Sequence, residues 1–147
     1  MYPMLKHAHS GLRWVVLALL LVAIVNALSK WRGGKQYTDG DRKITLFTMI
    51  SAHVQLILGL ILYFFLSPAV QFNENTMADK VLRFYSVEHL TIMLLAIAVI
   101  TIGYSKAKKK LESAQKFRSV FVYYLIGLIL ILAGIPWPFR FPGAGWF

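Results

Sequence analysis

The chain has no cysteine and few acids. Its 147 residues carry 6 Asp and Glu against 16 Lys and Arg, and charged residues of all kinds make up 15%. Without cysteine there is no disulfide, no Cys-ligated zinc or iron–sulfur cluster and no thioether-attached haem. A soluble domain carries roughly 25% charged and about 45–50% apolar residues. A chain that is 58% hydrophobic, with a mean hydropathy of +0.61, fits neither a water-soluble globule nor a disordered segment. Proline is scarce, and Pro136, Pro138 and Pro142 all lie near the C-terminus, so the tail from 135 to 147 cannot continue a helix. Gly-rich phosphate loops, HExxH or HxxxH zinc spacings and a Ser/His/Asp order are all missing.

What the sequence does have is four long apolar runs, too uniformly apolar for barrel strands. They lie at about residues 9–29, 44–66, 86–105 and 119–136. A membrane helix needs about 20 mostly apolar residues. The second and fourth runs qualify directly. The first and third reach that length only by taking in His9 and Arg13, or Glu88 and His89. The connections are short and no repeat or second domain is evident. The expected fold is therefore all-α, a single integral membrane four-helix up-and-down bundle. In it the first and third helices share one diagonal, and the second and fourth the other.

The excess charge sorts by loop. Lys30, Arg32, Lys35, Arg42 and Lys43 lie in the first connection, and Lys106, Lys108, Lys109, Lys110, Lys116 and Arg118 in the third. Positive loops stay in the cytoplasm. Both termini and the second connection are thus expected to face outward, the first helix to remain uncleaved, and the bilayer to be the main partner, with no nucleic acid. Trp14, Trp31, Tyr63, Tyr85, Tyr104, Trp137 and Trp146 mark the span ends as an interfacial belt.

Ionisable residues inside spans are costly and are functional candidates by default. On a rise of about 1.5 Å per residue, His9 stands ~30 Å from the basic boundary, Arg13 and His89 ~24 Å, Glu88 ~25 Å, and Gly59 and Gly134 ~22 Å. His53, with Gln55 beside it, stands much deeper at ~14 Å, level with Gly127 at ~12 Å. The outer level has the parts of a b-type haem site. Imidazoles face each other across one diagonal, glycines make room on the other, and Arg13 could hold a carboxylate. Glu88 or Ser10 could accept the second N–H of a ligating imidazole. His9 and His89 are the expected ligand pair to the haem iron, with His53 as substitute. If it is not a ligand, His53 with Gln55 is a candidate quinone or proton-handling site.

Plainer readings exist for each residue. His9 and His7 suit an interface, a Glu88–Arg13 ion pair accounts for that cluster structurally, and a hydrogen bond to Tyr123, Tyr124 or a carbonyl satisfies His53. Gly127 and Gly134 serve simple helix packing. Met1, Met4, His7 and His9 form a soft-metal alternative at the surface.

Several stretches taken together carry a resemblance: residues 6–14 (KHAHSGLRW), His53-Val54-Gln55 ahead of Gly59, Glu88-His89, and residues 135–140 (IPWPFR). They resemble small four-helix membrane proteins of Bacteroidetes-type bacteria labelled cytochrome b or cytochrome b-like, over nearly the whole chain. The resemblance implies haem b and a place near respiratory electron transfer, with His9, His53 and His89 as the positions concerned. The expected function is an inner-membrane b-type cytochrome, an electron carrier or a subunit of a quinol-linked respiratory complex rather than a stand-alone enzyme. The alternatives are a non-redox accessory subunit built on an Arg13–Glu88 pair, and a small metal or ion transporter with His53 on its path.

Overall fold

The computed structural model describes residues 1–147 and is all-helical. Four helices are long and apolar enough to cross a membrane: α1 (Tyr2–Arg32), α2 (Asp39–Leu66), α3 (Lys80–Lys109) and α4 (Ser113–Gly134). Each of the four overruns its apolar stretch on at least one side, because a helix runs on to its capping residues rather than stopping where hydrocarbon ends. Pro3 opens the first turn of α1, and the chain leaves that helix through Gly33 and Gly34, the latter at φ +63°. At the start of α2, Thr38 and Asp41 form a reciprocal capping box. The Asp79 carboxylate accepts the Val81 and Leu82 N–H groups at the start of α3. α4 stops at Gly134, two residues short of the expected 136, because Pro136 bars helical backbone at the residue before it.

α1 packs beside α2 and α4, and α3 packs beside the same two helices. The diagonals are therefore α1/α3 and α2/α4, as short antiparallel connections require. Both termini and the 67–79 connection gather at one end of the bundle; the Lys- and Arg-rich connections lie at the other. Only 30 of the 147 residues are buried, while Leu21, Val25, Phe47, Ile57, Leu95 and Ile129 stay exposed. Such an apolar belt is a liability in water and the normal surface of a protein in lipid. The chain is a multi-pass membrane protein by this measure.

The basic half is packed tightly. A Cβ placed on Gly127 would meet Ile100 Cγ1 at 2.5 Å, and one on Gly103 would collide with Tyr123. These glycines let α3 and α4 approach closely. At the tail end the helices change character. The Ser67 N–H bonds to the Leu62 carbonyl at 2.7 Å, and the His89 N–H bonds to that of Phe84. Both span five residues, so one π-turn lies in α2 and one in α3, at the same level. An extra residue in a turn shifts the helical phase, and such turns recur at functional sites.

The tail folds back across this end. Trp137 Nε1 and an Arg140 guanidinium N–H donate to the Leu132 and Ala133 carbonyls, satisfying acceptors that the end of α4 leaves open. Phe141 is buried against Phe84, with ring centroids 4.2 Å apart. Arg13 and Trp14 both donate to the Trp146 carbonyl, at 2.5 and 2.8 Å. Trp14, Trp137 and Trp146 pack together, with centroids 6.0 to 6.4 Å apart. The expected belt is here drawn into a cap.

Candidate functional site

Beneath the cap lies a cavity of about 370 Å³, lined by all four helices and by tail residues Pro142 to Gly145. That volume falls in the range of about 300–1,000 Å³ usual for small-molecule and cofactor sites. Its walls are mainly apolar, with Val16, Leu56, Met93, Ile97 and Ile131 among them. The polar groups converge from different helices: His9 and Arg13 from α1, Gln55 from α2 and His89 from α3.

The two imidazoles face each other across the α1/α3 diagonal, with centroids 6.3 Å apart and planes at 79°. His89 Nδ1 lies 2.7 Å from the Gly134 carbonyl oxygen. A carbonyl only accepts, so Nδ1 carries the proton and Nε2 keeps its lone pair. Backbone-anchored N–H on one nitrogen and a free lone pair on the other is the state in which an imidazole ligates a metal. His9 is held differently. Its backbone carbonyl accepts the Gln55 side-chain N–H at 2.7 Å, while its own Nδ1 is buried with no partner.

That lone nitrogen is one of three. The buried side-chain polar atoms without a hydrogen-bond partner are His9 Nδ1, Arg13 Nε and Gln55 Oε1, and all three residues line this cavity. An unmet polar group in a hydrocarbon setting costs several kcal/mol. Every other buried side-chain polar atom of the chain is paired, so the unmet buried polar groups are all gathered at this one cavity.

The remaining candidates separate. Gly59 lines the cavity, and a Cβ there would stand 3.0 Å from His9 Cε1, so the missing side chain makes room for the His9 ring itself. Gly134 does not line the cavity. A Cβ on it would meet Ile92 and Met93 at 2.8 Å, so its space serves α3 packing, and its contribution to the site is the carbonyl that holds His89. His53 is outside the cavity. Its Nε2 bonds to Thr101 Oγ1 at 2.8 Å, and that hydroxyl donates onward to the Ile97 carbonyl. It is thus a satisfied polar residue between α2 and α3, through a partner other than the tyrosines or carbonyl expected.

The expected Arg13–Glu88 ion pair does not form. Glu88 pairs with Arg83 at 2.8 Å, five residues away across the α3 π-turn. Arg13 instead holds the tail carbonyls and stacks near Trp14 and Trp137, at 5.3 and 5.9 Å. Neither Glu88 nor Ser10 supports His89; Gly134 does. Gln55 is the residue that depth along the helix assigned to the wrong level. A ruler of Cα rise ignores the reach of a long side chain, and its pairing at i, i+4 with Gly59 was the available signal.

No cluster of three or more His, Cys, Asp or Glu side chains exists. A metal ion between His9 and His89 would take its other ligands from a non-protein group. His9 and His89 are the residues that would hold a group bringing its own remaining ligands, such as a ring-held iron: the His89 Nε2 lone pair is unspent and the His9 ring is buried without a hydrogen-bond partner at Nδ1.

No protein-family model, no curated protein and no solved structure matches the chain.

Proposed function

We propose that this protein is a b-type haem protein of the bacterial inner membrane, working as an electron carrier or as a subunit of a quinol-linked respiratory complex. The observation that carries the reading is the facing pair His9 and His89 in a capped cavity that also holds every unpartnered buried polar side-chain atom of the chain. Bound haem supplies a reversible one-electron couple. The protein's part is to present two nitrogens, exclude water and hold the rings in place.

His89 arrives with its tautomer already set by Gly134. For His9 the matching partner is Gln55. Its amide nitrogen is tied to the His9 carbonyl, which leaves Oε1 as a free acceptor on the α2 face that meets His9, and His9 Nδ1 as a free donor. Gln55 Oε1 is thus the candidate acceptor behind His9, as the Gly134 carbonyl is behind His89. The Nε–H of Arg13, a residue lining the cavity, is buried without a partner, and a haem carboxylate would be able to accept it. The transporter alternative has less support, since His53 bonds to Thr101 away from the cavity. The accessory-subunit alternative lost its structural pair when Glu88 turned to Arg83.

The test is a reduced-minus-oxidised absorption spectrum of the full chain purified from haem-replete cells. A b-type difference spectrum that disappears in His9→Ala and in His89→Ala, and persists in His53→Ala, is the expected result. Folded protein free of haem overturns the reading.

A further inference from the structure

A second hollow, of about 280 Å³, lies at the opposite, basic end between α3 and α4. Lys106, Lys110, Arg118, Gln115, Ser119 and Tyr123 line it, and none of these is acidic. Its cations have no carboxylate partner. The basic end holds three carboxylates, Asp39, Asp41 and Glu112. Asp39 pairs with Arg42 and Lys43, and Asp41 pairs with Lys30, all on the α1–α2 side. No ion pair includes Lys106, Lys110, Arg118 or Glu112. Lys116 is also occupied, its ammonium donating to the Ala107 and Lys108 carbonyls. The basic end is thus partly neutralised on one side and open on the other.

The open side has a floor and a lipid edge. α3 and α4 close together where Gly103 meets Tyr123, and the Lys106 ammonium stands 5.5 Å from the Tyr123 ring centroid. Toward the middle of the span, the next residues on these helices include Ile102 and Ile126, 45% and 43% exposed. Three cations with hydroxyl and amide donors thus sit directly above an exposed apolar seam. An anionic phosphate attached to acyl chains meets both surfaces at once; free phosphate uses only the first. Basic pockets between membrane helices on the positive side bind such headgroups.

We infer that the hollow between α3 and α4 at the basic end is a binding site for the phosphodiester headgroup of an anionic phospholipid, held by Lys106, Lys110 and Arg118. This does not depend on the haem reading and uses none of its residues.

The test is native mass spectrometry of the full chain released from vesicles of phosphatidylglycerol and phosphatidylcholine with matched acyl chains. Wild type should retain phosphatidylglycerol selectively. The triple variant K106Q/K110Q/R118Q should lose that selectivity, by about fivefold per cation. The control R32Q/K35Q/K109Q removes the same charge from the same end and should retain it. Equal loss in both triples, or none in the first, overturns the proposal, since either result means diffuse attraction or no site. A further arm adds inorganic phosphate. Displacement by phosphate at concentrations comparable to the lipid overturns the lipid assignment. If the triple variant does not fold, K110Q and R118Q singly, both at exposed positions, should each weaken retention about fivefold, and unchanged retention in both overturns the inference.

Discussion

In the half of the bundle nearer the basic connections, buried polar groups have partners; in the half nearer the tail, three do not. The Tyr124 hydroxyl donates to the Thr45 carbonyl at 2.8 Å, and Thr48 bonds to its own helix and to the Leu19 carbonyl of α1. Asp41, almost wholly buried, receives both Asn26 and Lys30. Gly103 and Gly127 remove side chains so that helices can touch. In the tail half, Gly59 makes room for an imidazole, two π-turns re-aim α2 and α3, and the space between helices stays open. The same four helices thus carry a region that stabilises the fold and a region that leaves binding capacity unused. In lipid, where no water compensates a bare donor, such unmet groups are costly, and all three of them line the one capped cavity.

The comparison breaks most sharply at the histidines. His89→Ala and His9→Ala should each abolish haem binding, read from the Soret band, while leaving helix content by circular dichroism intact. His53→Ala should spare the spectrum. Loss of haem in His53→Ala with retention in the other two would invert the division between the halves.

Next come two substitutions of the same size. Gly127→Ala drives a methyl into Ile100 and should cost about 1–3 kcal/mol in stability, as overpacking does, measured by thermal unfolding in detergent. Gly59→Ala presses instead on His9 Cε1. It should alter the haem spectrum and leave the unfolding midpoint nearly unchanged. Equal thermal effects from the two would erase the distinction between packing glycine and site glycine.

Sequence reasoning reached the bundle because apolar length and loop charge report on lipid directly. It placed His9 and His89 close together because both rings lie near one end of their spans on helices that short loops place diagonally. It missed what depends on side-chain reach and helical phase. Gln55 extends to the His9 carbonyl from a lower level, and Glu88 turns to Arg83 across a π-turn that no periodicity announces. Gly134 falls at the right depth for another reason: its carbonyl holds His89 while its bare Cα accepts Ile92 and Met93. The tail looked like an interfacial strip, and its prolines did exclude a helix. That its carbonyls would be gathered by Arg13 and Trp14 was not written in composition.

A smaller effect is expected at the cap. Arg13→Gln removes the guanidinium that gathers the Gly145 and Trp146 carbonyls. Limited proteolysis should cleave the tail several-fold faster, with the helical core resistant. Unchanged cleavage would mean that the Trp14, Trp137 and Trp146 cluster alone holds the cap. The smallest effect belongs to Gln55→Leu, which keeps the volume and removes the acceptor offered to His9 Nδ1. Haem should remain bound, with a shifted midpoint potential and faster loss to a competing haem acceptor. A potential identical to wild type would remove Gln55 from the site.

The central claim, that two imidazoles from α1 and α3 share one iron, is tested most directly by spin state with chemical rescue. Low-temperature electron paramagnetic resonance of the oxidised full chain should give a low-spin signal of bis-imidazole type. His9→Gly should abolish or convert that signal to high spin, and added imidazole should restore it. A wild-type protein that binds no haem, or whose low-spin signal survives in both His9→Gly and His89→Gly, contradicts the account.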